Sequence, residues 1–203
     1  KRQSYVLYSE NYGSETSGRY RFGLQGSFEN LTKSGDRLNL GLTRSDKDLH
    51  NYSLSYSHPV GADGTMIGIG VSRMDYELSG AFRALGAEGT ADTLSLFGTT
   101  PLWRTSQSSL AVTYGWDWRR LKDEYKKVGM ELKKHSSTFR LGLKGEERQH
   151  RTSWTYDLTA YYGRLGADSD WAHAQMKRAG TEGSFTKGIL NLNLRHEISN
   201  RWS

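Results

Sequence analysis

Cysteine is absent from this 203-residue chain, so neither a disulfide framework nor a thiolate metal site enters the account. No run of about 18 apolar residues occurs either, which excludes a transmembrane helix. Hydrophobic residues make up only 35% and mean hydropathy is −0.74. Such values look soluble, but a membrane β-barrel has them too, because only every second residue of its strands meets lipid. Neither an initiator Met nor an apolar leader opens the chain at Lys1-Arg2-Gln3, so it reads as part of a mature protein or an excised fragment. Charge of one sign is not in great excess: the net charge is +6, placed mainly at strand ends and in loops. A solvated surface accounts for it, and no nucleic-acid partner is implied.

Chemistry-bearing constellations are missing as well. The histidines at 50, 58, 135, 150, 173 and 196 show no metal-ligand spacing. Asp168, Asp170 and His173 share one stretch that reads as a flexible acidic loop. Gly68-Ile-Gly70 lacks the further glycine and the helix of a dinucleotide site, and reads instead as room on one face of a strand. No enzyme activity, cofactor or metal is therefore expected.

What is present is alternation. Tyr52, Leu54 and Tyr56 alternate with Asn51, Ser53, Ser55 and Ser57, and Ile67, Ile69 and Val71 alternate with Gly68, Gly70 and Ser72. The period of two puts each set on one face of a strand, and the Gly61–Gly64 segment between them suits a tight hairpin turn. The pattern recurs. Tyr20, Phe22, Leu24, Gly26 and Phe28 share a face, as do Leu38, Leu40 and Leu42, and Leu94, Leu96, Gly98 and Leu102. Leu110, Val112, Tyr114, Trp116 and Trp118 form the cleanest set. Phe139, Leu141 and Leu143 follow, then Trp154, Tyr156, Leu158, Ala160 and Tyr162, then Leu190, Leu192 and Leu194. With a first strand at 4–9, about ten strands are expected, most of them about 9–14 residues where an ordinary strand has about 5–6. Crossing hydrocarbon at a tilt takes about 9–11. Connections are expected to be short at 31–36, 61–64, 104–108 and 149–151, and longer at 10–18, 79–89, 122–134 and 165–182, with 46–49 a short exception. Short turns on one rim and long loops on the other are the layout of an outer-membrane barrel.

The second face separates this reading from a soluble β-sandwich, whose outer face would be filled with Lys and Glu. Here Gly, Ser, Thr and Asn dominate, with single charges, as a water-filled lumen requires. The expected fold is all-β: an antiparallel transmembrane β-barrel wall. Arg19, Arg21, Gln25, Asp117, Arg119, Arg140, Lys144 and Asp157 are the candidate lumen-lining residues. Trp116 and Trp118 read as part of an interfacial girdle, with a sugar platform as the alternative. Lys122-Asp-Glu-Tyr-Lys-Lys reads as a solvated loop whose lysines could meet lipopolysaccharide. Alternation alone supports a passive porin equally well, and a β-sandwich carbohydrate-binding protein stands as the third reading.

Several segments also resemble a known family. Asn11-Tyr-Gly-Ser followed by Thr16-Ser-Gly-Arg-Tyr, the run Asn51–Gly64, Asp75-Tyr-Glu-Leu-Ser-Gly, Gly89-Thr-Ala-Asp-Thr-Leu-Ser-Leu and Ser184-Phe-Thr-Lys-Gly are similar, in order, to the barrel of two-partner secretion transporters. These are the haemolysin secretion/activation and filamentous-haemagglutinin transporters. The resemblance implies the N-terminal part of a barrel of about sixteen strands, with 1–203 a partial barrel domain that includes neither the POTRA domains nor the C-terminal strands. It further implies a monomeric barrel among outer-membrane lipid and lipopolysaccharide, exporting a haemolysin- or adhesin-type exoprotein as an unfolded chain. None of the family's known functional residues falls on a numbered position of this chain.

Overall fold

Successive side chains of an extended segment point to opposite faces, so an alternating stretch is stable only beside neighbours in the same phase. Ten such stretches pair in the computed structural model, which describes residues 2–11, 19–46, 48–77, 87–127, 129–168 and 183–197. They are β1 (Arg2–Glu10), β2 (Arg21–Glu29), β3 (Arg37–Ser45), β4 (His50–Val60), β5 (Thr65–Glu77), β6 (Ala87–Arg104), β7 (Ser108–Tyr125), β8 (Met130–Gln149), β9 (Thr152–Ala167) and β10 (Gly183–His196). All belong to one sheet in the order β1 to β10, each antiparallel to the next.

Register aligns the apolar sets across the whole sheet. Leu40, Leu54, Val71, Leu94 and Trp118 follow one another across β3 to β7. Ile69, Leu96, Trp116, Phe139 and Tyr162 do the same across β5 to β9. This face stays open: Leu96 is 45% exposed and Leu141 62%. An apolar belt far larger than a few hundred Å² is not left in water. On β7 it runs from Leu110 to Trp118, a span that matches the roughly 9–11 residues of a hydrocarbon crossing. The opposite face is the concave one. Ala91 and Leu132 on it are 5% and 8% exposed, and Arg37 of β3 lines the same hollow as Asn191 and Asn193 of β10. The sheet is rolled with its polar face inward and its apolar face outward: the wall of a transmembrane β-barrel.

Short connections gather on one rim, at 30–36, 61–64, 105–107 and 150–151. Gly61 and Gly64 take φ of 76° and 84°, conformations open to glycine at little cost. Asp36 ties the first turn and has 0% of its surface exposed. Its Oδ1 accepts from the Thr32 amide at 3.0 Å and the Thr32 hydroxyl at 2.8 Å. Burial works to raise the Asp36 pKa, but the Thr32 hydrogen bonds, the backbone amide of Asp36 and the Tyr56 hydroxyl together outweigh it and hold the pKa low.

Three expectations are corrected. Residues 122–134 are not a loop: β7 continues to Tyr125, β8 starts at Met130, and the two pair out to Tyr125↔Met130. Their charges mark the height at which the strands leave hydrocarbon, not the end of the strands. For the same reason β6, β7 and β8 reach 18, 18 and 20 residues, longer than expected. Leu102 is out of phase, since a bulge between Pro101 and Trp103 sets Trp103 opposite Leu110. The loops at 10–18, 79–89 and 165–182 lie mostly outside the described residues.

Candidate functional site: the polar inward face

The inward face is built from the alternate residues of the same strands. One row runs Ser27, Asn39, Ser55, Gly70, Ser95, Asp117, Thr138, Gly163 across β2 to β9. A row away lie Gly68, Phe97, Gly115, Arg140 and Tyr161. Small and hydroxylated side chains keep this wall thin, while some of the charges on it are tethered. Arg140 Nη1 donates to Asp117 Oδ2 at 2.9 Å. The guanidinium crosses the face of Gly115, where an added Cβ would stand 2.5 Å from Arg140 Nε. Glycine there lets an arginine lie flat along the wall.

Each candidate lumen-lining residue has a definite place. Arg21, Gln25, Asp117, Arg119, Arg140, Lys144 and Asp157 all sit at inward register positions. Arg19 stands before β2 begins, outside the sheet. Asp117 and Arg140 are brought together. Lys144 and Asp157 face each other in register without an ion pair, and Asp157 Oδ1 instead accepts from the Thr159 hydroxyl at 2.9 Å. Arg119 Nε donates to Thr93 Oγ1 at 3.2 Å. Arg21 lies 3.9 Å from Glu10. Gln25 lies between Val6 and Gly41.

Sequence reading missed the inward aromatics. Tyr8 covers Gly23, Tyr76 covers Gly89, and Phe97 covers Gly68, each ring on the glycine directly opposite in register. Tyr8 and Thr43 share a hydrogen bond of 2.9 Å, and the Tyr76 hydroxyl donates to Asp123 at 2.7 Å. An aromatic opposite a glycine is a recognised packing device, but the signal exists only once register is known. On the outer face, Trp116 donates to Ser137 Oγ at 2.7 Å, and Trp118 is the last aromatic of the belt on β7. Of the acidic stretch, Asp168 lies 2.5 Å from His135 Nδ1, whereas Asp170 and His173 lie outside the described residues. Among the described residues no group of three His, Cys, Asp or Glu could hold a metal ion.

This arrangement offers a weakly charged inward wall backed by an apolar outer belt, and solved structures share the fold. The solved structure of CdiB from Escherichia coli superposes with a TM-score of 0.75 at 19% identity, over 98% of this chain and 38% of that one. CdiB from Acinetobacter baumannii gives 0.60 at 19% identity, over 82% and 32%. The heme/hemopexin transporter protein HuxB of Haemophilus influenzae is 28% identical over 200 residues, 97% of this chain and 35% of that protein. The chain thus spans about a third of the length of its relatives. A profile of the haemolysin secretion/activation proteins ShlB/FhaC/HecB matches residues 1–203. The chain belongs to this family of outer-membrane two-partner secretion transporters.

Proposed function

We propose that the protein of which this chain is part carries an exoprotein of the haemolysin or adhesin type through the barrel lumen as an unfolded polypeptide. The barrel has about sixteen strands, this chain supplies its N-terminal wall, and periplasmic POTRA domains capture the cargo. The observation that carries this reading is the composition of the inward face. Hydroxyls, glycines and tethered ion pairs such as Arg140–Asp117 offer a sliding chain weak, replaceable contacts. The hollow on that face sets Arg37, Arg104, Lys144, Glu146 and Asp157 beside its apolar side chains. Membership of the haemolysin secretion/activation family supports this class of cargo. The Haemophilus relatives are heme/hemopexin transporters by name, so a cargo that handles heme or hemopexin is the second reading.

Photo-crosslinking in the full-length protein tests both. Benzoyl-phenylalanine at Ser95, which faces inward between Gly70 and Asp117, is expected to capture a stalled exoprotein, and the same residue at the outward Leu96 is not. Equal capture at both positions, or none at Ser95 while secretion proceeds, overturns passage along this wall. The identity of the captured protein separates the two cargo classes.

A further inference from the structure

Above the belt the outward face of β5 to β8 is layered by charge. The last apolar row is Val71, Leu94, Trp118. The next holds Arg73, Asp92, Arg120 and His135, and the one after it Asp75, Thr90, Lys122 and Lys133. Only then comes a row of four glutamates, Glu77, Glu88, Glu124 and Glu131, each directly opposite the next. On these strands the two rows nearest the belt therefore hold four bases against two acids, Asp75 and Asp92, both paired with Arg73. From Arg120 to Glu124 is roughly 13 Å along the strand, beyond the screening length of about 8 Å at physiological salt. An anion at the Arg120 guanidinium stands beyond that length from Glu124, while Lys122 and Lys133 one row above are themselves in contact with Glu124 and Glu131.

The ledge is also concave and pre-organised. A hollow of about 520 Å³ is lined by Arg73, Thr90, Asp92, Arg120, Lys122 and Lys133 together with Glu88 and Glu124. The Arg120 guanidinium is stacked 5.0 Å from the Trp118 ring and has no carboxylate partner among the described residues. Lys122 is held by Glu124 and Glu131, and Lys133 by Glu131, so both ammonium groups stand in place at the hollow without searching rotamers. A planar guanidinium at the top of a lipid-facing belt, with ammonium groups one row above it, matches a phosphate that hangs at headgroup height from an acyl-chain anchor.

We propose that this ledge seats the phosphate groups of an anionic outer-leaflet glycolipid, its acyl chains lying along the belt beneath Trp118. The site is independent of cargo, and a porin with the same wall would hold the lipid equally. The test uses the full-length protein in nanodiscs of phosphatidylcholine doped with diphosphorylated lipid A, with retained lipid read by native mass spectrometry. Wild type is expected to retain lipid A in preference to phosphatidylcholine. Arg120→Gln with Lys133→Gln is expected to weaken retention by roughly fivefold for each base removed, the factor that about 1 kcal/mol per base at a membrane surface corresponds to. Arg104→Gln on the opposite rim is expected to leave it unchanged. If the double variant fails to give a heat-modifiable barrel, Arg120→Lys serves: it keeps the charge, loses the planar fork, and is expected to fall between wild type and Arg120→Gln. Equal retention by wild type and variants overturns the proposal. So does displacement of lipid A by millimolar inorganic phosphate alone, which would assign the ledge to free phosphate.

Discussion

At the scale of the residue, one step along a strand separates two solvents. Val112 faces outward between Thr100 and Leu143, and Thr113 faces inward between Thr99 and Gly142. Arginine at the lipid midplane costs about 2–4 kcal/mol, while in a wet lumen its charge stays solvated. Val112→Arg in the full-length protein is expected to lower the unfolding free energy measured by urea titration in liposomes by an amount in that range, and Thr113→Arg to fold and shift ion selectivity. Equal loss at both positions would remove the assignment of faces. Alternation made these two residues legible from sequence, because the period of two needs no knowledge of partners. The pairing of Arg140 with Asp117 was not legible, since it depends on which residue of β8 lies beside Gly115.

At the scale of the element, β7 and β8 show where composition misleads. Lys122, Glu124, Glu131 and Lys133 read as a solvated loop, yet they are the outward residues of a hairpin that rises past the belt. Charge at that height is compatible with strand because the Lys122 and Lys133 ammonium groups bridge to glutamates on the facing or the same strand, offsetting like-charge contacts across the ladder. The turn at 126–129 is as short as those on the other rim, so strand length, and not loop length, carries this connection outward. Cysteine at Lys127 of the full-length protein is expected to label on intact cells with an impermeant reagent, and cysteine at Ala62 or Gln107 on the short-turn rim is not. The reverse pattern would invert the orientation of the wall, and equal labelling at both rims would take the membrane out of the account.

At the scale of the whole molecule, among the described residues β1 pairs only with β2, and β10 only with β9. Each leaves a row of backbone donors and acceptors without a partner in the sheet, which hydrocarbon does not tolerate. Expressed alone, the 203-residue chain is expected to aggregate or fail to insert, and the flanking segments of the full-length protein to restore a heat-modifiable barrel. A folded, monomeric species of this chain alone in detergent would show instead that the sheet closes on itself.

Sequence by itself determined the faces and the count of strands. Those follow from local alternation and from turn residues such as Gly61 and Gly64, which act within a few residues of chain. The resemblance carried by separated motifs also led to the right family, as matching over residues 1–203 shows. Only the tertiary structure decided how far each strand runs, which glycine each inward aromatic covers, and which charges meet. These are properties of register, set by the sum of all cross-strand contacts along two neighbours. The layered ledge above Trp118 is of the same kind: its four bases come from β5, β7 and β8, and they become one surface only because pairing brings Arg73, Arg120, Lys122 and Lys133 to adjacent heights.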